Sequence, residues 1–198
     1  MDAMIGSEAP TVVNTGNENK ARAFPRKWDA ANREREACDR LCEALRRLGK
    51  NPYGHIDTFA ARDLTDQLSF LSTTDHSGRF QLQGEHGERI EWECMGLRSE
   101  LQMRNVSAAA LARTRATDEL HLLIEVVGRT IAHIRWELDN GASADPRRRL
   151  WYSDRLRDCH ALADPLYRER HRRTQAHERP AGPLTRLWTW VRSTWMFA

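Results

Sequence analysis

Leu120, Ile124, Val127, Ile131, Ile134 and Leu138 follow one another at spacings of 4, 3, 4, 3 and 4. This is the a/d stripe of a heptad repeat, and only a helix brings such positions onto one face. Carried backward, the register meets Thr117, Arg113, Ala110, Val106 and Met103, so the stripe weakens toward its N-terminal end. A single helix over residues 107–140, closed by Gly141, would be about 50 Å long. An element of that length must lie along another helix or along a second copy of itself, which makes a homo-oligomer one expectation.

Helical signals flank it on both sides. Cys38, Leu41, Cys42, Leu45 and Leu48 recur at threes and fours from Trp28 onward, and Gly49 and Pro52 supply a stop. A second helix is expected from an Asp57 N-cap to Leu71, with Ile56, Phe59, Ala60, Leu64, Leu68 and Leu71 on one stripe. Asp145 and Pro146 open another, lined by Leu150, Tyr152, Leu156, Cys159, Ala163 and Leu166, which Pro165 interrupts or restarts. Residues 79–94 read two ways. Phe80 with Leu82, then Ile90, Trp92 and Cys94, alternate as two strands of a small hairpin around Gly84 and Gly87, whereas Ile90, Cys94, Leu97 and Leu101 make a helical stripe. The alternation favours the hairpin. The expected fold is therefore mainly α: an antiparallel helical bundle around one long heptad-patterned helix, with a small β-hairpin.

Residues 1–24 carry no periodicity and read as a disordered tail, residues 25–179 as the helical domain, and residues 180–198 as a hinge and a C-terminal amphipathic aromatic helix. Leu, Ile, Val and Phe make up only about a fifth of the chain, the edge of the range for a folded core, but net charge is +3 and seven Trp add burial capacity. Neither a secretory signal nor a run of apolar residues long enough to span a bilayer is present, and four cysteines fit reduced thiols, so a cytoplasmic protein is expected.

Three of the 31 basic residues are Lys and the rest Arg, a skew that a GC-rich coding sequence also produces. Its placement carries more information. Residues 1–145 have a net charge of −4 and residues 146–198 of +7, so the C-terminal quarter is the basic surface. Arg147, Arg148 and Arg149 precede Trp151 and Tyr152, and Arg155, Arg157, Arg168, Arg170, Arg172, Arg173 and Arg179 continue the charge. Guanidinium forks with a stacking aromatic suit phosphates and unpaired bases, which makes nucleic acid a candidate partner. Asp154, Asp158, Asp164 and Glu169 are interleaved at ion-pairing distances, the pattern of a solvated helix face.

The second candidate surface is Leu184, Leu187, Trp188, Val191 and Trp195, a helical stripe widened by Trp190, Met196 and Phe197, with Arg186 and Arg192 beside it and no acid. Such a segment docks on its own core, on a partner groove, or on a membrane surface. Metal and catalytic chemistry find little support. His121 with Glu125 and His133 with Glu137 are i, i+4 pairs, but they lie off the apolar stripe and read as surface pairs. Cys38 and Cys42 share the core face and read as buried thiols, and no nucleophile elbow, phosphate loop or zinc-protease motif occurs. The sequence thus points to a non-catalytic scaffold or adaptor that binds an unidentified protein or itself, with no cofactor. Nucleic-acid binding and peripheral membrane association are the alternatives.

Overall fold

The computed structural model describes residues 16–74, 80–82, 84–141 and 145–178. It is mainly helical. The helices are α1 (Gly16–Lys50), α2 (Thr58–Gln67), α3 (Gly84–Met103), α4 (Ala108–Thr114), α5 (Thr117–Trp136) and α6 (Pro146–Glu178). Two three-residue strands, β1 (Ser72–Thr74) and β2 (Phe80–Leu82), pair antiparallel between α2 and α3. Among the described residues no helix is long and apolar enough to cross a membrane.

Short polar side chains start the helices, where unpaired backbone N–H groups need acceptors. Asp57 accepts from the N–H of Phe59 at 2.9 Å and of Ala60 at 3.2 Å, Ser107 from Ala110 at 3.1 Å, and Asp145 from Arg147 at 2.9 Å. The end of α3 needs a left-handed residue, and Asn105 supplies it at φ 56°, letting Val106 N–H donate to the Leu101 carbonyl at 2.8 Å.

The core is organised by α5, which packs against α6, α2, β2 and α3. Leu120, Ile124, Val127, Ile131 and Ile134 of the heptad stripe are buried, and Leu138 is half-buried in the π-turn Glu137–Gly141 that follows. Burial is not confined to that stripe, since Leu122, Leu123, Val126 and Thr130 are also enclosed. Asp118, His121, Glu125, Arg129 and Arg135, exposed or half-buried, mark the one face left toward solvent, so α5 is an amphipathic helix with a broad apolar side. The stripe on which self-association was expected to rest is occupied by the chain's own elements.

Four expectations are corrected. The 107–140 helix is two helices, because Arg115 and Ala116 are extended and divide α4 from α5. Residues 84–103 are helical and residues 79–94 form no hairpin; β2 pairs instead with residues 72–74, a stretch that reads as turn formers. The helical spacing of 4, 3 and 4 set by Ile90, Cys94, Leu97 and Leu101 prevails, and Trp92, which alternation would have placed beside Ile90, is 60% exposed. Helix α1 reaches back to Gly16, into the stretch read as tail, and residues 1–15 lie outside the described residues. Pro165 sits inside an uninterrupted α6.

Helix α6 is tied to the α4–α5 break by a three-residue cluster. Glu169 accepts from Arg172 at 2.7 Å and from Arg173 at 2.8 Å, while Arg173 also donates to the carbonyls of Ala112 at 3.2 Å and Arg115 at 2.8 Å. Arg172 first, then Arg173, outweigh the opposing effect of burial and hold the Glu169 carboxyl at about 2, below its ordinary 4.5. A depressed carboxyl stabilises the fold above its unfolded pKa and loses that contribution as pH falls toward the folded value. The stability gap between wild type and Glu169→Gln should therefore close between pH 4.5 and about 2, as read by urea denaturation across pH. In the same assay Leu123→Ala, in the middle of α5, should cost about 2–5 kcal/mol. The exposed Leu150→Ala should change stability by no more than about 0.5 kcal/mol.

Candidate functional site

Where α3 and α6 run side by side, each turns one face toward a shared cleft. On α3 these are Glu88, Glu91 and Trp92, and on α6 Arg148, Trp151 and Tyr152, all at helical spacings of three and four, with Arg155 beneath them against Glu91, Trp92 and Trp151. The cleft has a volume of about 420 Å³, and Asp145 closes one end of it.

At its base lies an ion pair withdrawn from water. Glu91 is 1% exposed and Arg155 8%, and Arg155 Nη1 donates to Glu91 Oε1. The Arg155 guanidinium stacks on two indoles, its Cζ 3.6 Å from the Trp151 ring centre and 4.1 Å from that of Trp92. The two rings meet edge to face with centres 6.2 Å apart, and Trp151 meets Tyr152 likewise at 4.6 Å. A guanidinium seated between rings in this way fixes their orientation, at a gain of roughly 0.5–2 kcal/mol per contact. The two indoles, braced by this contact, form the walls of the cleft, with Trp92 60% and Trp151 40% exposed.

His133, on α5, lies beneath. Its Nε2 is 3.8 Å from Glu91 Oε2, and this buried atom has no hydrogen-bond partner among the described residues. Gly87 makes the approach feasible, since a Cβ there would come within 3.0 Å of His133 Cε1. Burial pushes the Glu91 carboxyl above its ordinary value, against the pull of Arg155 and then His133. His133 does not line the cleft, so Glu91 is the group that meets a ligand. At the rim, Arg148 donates to Glu137 at 3.3 Å and its Cζ stands 5.7 Å from the Tyr152 ring. Among the described residues neither Ser nor Cys lines the cleft, and burial raises the Tyr152 phenol. Flat apolar walls above buried charge are the features of a recess that can bind a ligand.

The ten C-terminal residues read as an anion site do not gather in one place. Trp151 and Arg148 line the cleft and Arg155 lies beneath it, both arginines paired with carboxylates. Arg157 bonds Asp154 at 3.0 Å, Arg172 and Arg173 hold Glu169, and Arg170 stands 5.1 Å over the Tyr167 ring. Arg147, Arg149 and Arg168 are exposed. The second candidate surface, Leu184, Leu187, Trp188, Trp190, Val191, Trp195 and Phe197, lies outside the described residues.

His133 and Glu137, expected on the surface, are buried, because α5 is enclosed on the side where they project. Cys38 and Cys42 are buried with Sγ atoms 3.9 Å apart, as their shared face implied. No group of three or more His, Cys, Asp or Glu among the described residues is arranged to hold a metal ion. Sequence reasoning missed Glu88, Glu91 and Trp92 as site residues; their i, i+3, i+4 spacing was the available signal, hidden by reading the segment as a strand.

Comparison with family models, with curated proteins and with solved structures gives no match.

Removing one partner of a buried ion pair strands the other. Arg155→Met should thus cost about 3–5 kcal/mol, while the double variant Glu91→Leu with Arg155→Met should recover most of that loss. Urea denaturation of the wild type, the two singles and the double measures it.

Proposed function

We propose that this is a non-catalytic interaction protein that grips a segment of a partner protein in the α3–α6 cleft. One observation carries the reading: Trp92 and Trp151 are large and exposed, and both pack on the Arg155 guanidinium between them. Trp, Tyr and Arg in a partly desolvated recess are the residues that dominate protein–protein affinity. Preorganised rings also bind without the entropic cost of ordering them. In this reading the helices form an antiparallel bundle, the heptad stripe of α5 is its core and not an assembly seam, and the protein works in the cytoplasm.

Nucleic-acid binding has a narrower basis. Arg147, Arg149 and Arg168 are exposed and have no ion pair among the described residues, a pattern that supports weak, salt-sensitive phosphate contact. The pairing of Arg148, Arg155, Arg157, Arg172 and Arg173 argues against a dedicated phosphate surface. Membrane association rests on residues 184–198 alone.

A peptide array probed with full-length protein tests the proposal. Peptides retained by the wild type should lose affinity about 30-fold, or ~2 kcal/mol, in Trp151→Ala or Trp92→Ala. Phe59→Ala, also an exposed aromatic change, should have no effect. Retention unaltered by either Trp substitution would sink the cleft as the contact surface.

A further inference from the structure

The α3–α6 cleft carries a charge asymmetry that narrows what can enter it. Its lining holds three carboxylates, Glu88, Glu91 and Asp145, against one cation, Arg148. The cations at hand are already engaged. Arg148 pairs with Glu137, which does not line the cleft, and its Cζ stands 5.7 Å from the Tyr152 ring. Arg155, beneath the floor, is taken by Glu91 and by the two indoles.

The carboxylates are less well served. Glu88 and Asp145 are exposed, and neither has an ion pair among the described residues. Asp145 accepts the Arg147 N–H at 2.9 Å, in its role as helix cap. Glu91, 1% exposed, gives Oε1 to Arg155, whereas Oε2 accepts no hydrogen bond from a described residue and His133 Nε2 stands off at 3.8 Å. A buried carboxylate oxygen on the floor of an open recess is an acceptor short of a donor. Burial is the main reason that the Glu91 carboxyl sits above its ordinary value, and Glu88, a like charge, adds to it.

The walls favour the same sign of ligand. An indole presents a negative face to a cation, each ring has two such faces, and Arg155 occupies one face of each. At about 420 Å³ the cleft has room for a long side chain. An anionic ligand, in contrast, would face three carboxylates and no uncommitted cation. A neutral apolar side chain would displace water from Glu91 and offer no donor in exchange.

We propose that the side chain a partner segment inserts into this cleft is cationic, an arginine or a lysine, packed on the Trp92 and Trp151 walls with Glu88, Glu91 and Asp145 as its counter-charges. The proposal rests on the reading of the cleft as a protein-binding site and adds the chemistry that the cleft selects.

A second peptide array separates the two. Each peptide has one fixed central position, occupied in turn by arginine, lysine, citrulline, norleucine or glutamate, in otherwise randomised sequence, and is probed with full-length protein. Citrulline keeps the shape of arginine, and norleucine the stem of lysine, without the charge, so the ratio within each pair reads charge alone. Wild type should retain the cationic member about tenfold better. Glu88→Gln combined with Asp145→Asn should shrink that ratio to about threefold and spare the fold, since both side chains are exposed and Asn caps a helix as well as Asp. Trp151→Ala should lower retention of every cationic peptide. Ratios near one in the wild type, with retention still lost in Trp151→Ala, would overturn the cationic occupant and leave the cleft as a site for neutral peptides. A cationic preference that the double variant leaves intact would place the selectivity elsewhere and overturn it too. Preference for glutamate would overturn it in favour of an anionic ligand. Retention indifferent to Trp151→Ala would remove the cleft reading and this proposal together.

Discussion

The buried pair Arg115 and Glu119 is the constraint on which the arrangement of the helices depends. Both side chains are fully enclosed, and Arg115 Nη1 stands 3.5 Å from Glu119 Oε1. Arg115 satisfies the carbonyls of Pro52 and Gly54 in the α1–α2 loop. Glu119 accepts from the backbone of Ile56, from Ala116 N–H at 2.9 Å and from His55 Nδ1 at 3.1 Å. Burial alone would raise this carboxyl; the backbone donors Ala116 and Ile56, then His55 and Arg115, outweigh it and hold the carboxyl below the usual range. One ion pair thus joins the first helical hairpin to the α4–α5 break, and Arg173, bonded to the Arg115 carbonyl, adds α6. Its hydrogen bonds must offset a desolvation cost of several kcal/mol per charge, and here nearly every lone pair of the carboxylate is used.

The same pair explains what the sequence could not announce. Nothing between Thr114 and Thr117 breaks a helix by propensity, since Ala116 is the best helix former there is. The break exists because Arg115 reaches carbonyls more than sixty positions earlier in the chain, and extended backbone at 115 and 116 aims it there. Glu119, at the third position of α5, was the one local hint, since it accepts from the Ala116 N–H as the third residue of a capping box does. Helix starts at Asp57 and Asp145 were legible because capping is local chemistry.

The α3–α6 cleft was half legible for a related reason. Trp151 and Arg155 stood out within a basic run, but their partners Glu91 and Trp92 lie some sixty residues away in a segment whose alternation mimics a strand. Composition exposes a cluster of arginines; only the fold shows which carboxylate each one meets. Arg155 illustrates the difference, since it is a cation by sequence and, in place, the spacer between two rings.

Helix α5 is enclosed by elements that precede it, α2, β2 and α3, and by one that follows it, α6. A ribosome delivers these in order, so α5 emerges into a half-built socket with the flank meant for α6 open to solvent. During that interval the nascent chain displays the apolar side chains that Tyr152, Cys159, Leu162 and Leu166 will later cover. Consolidation of the core is thereby postponed until α6 has been made, and termination before α6 yields a sticky fragment rather than a smaller stable domain.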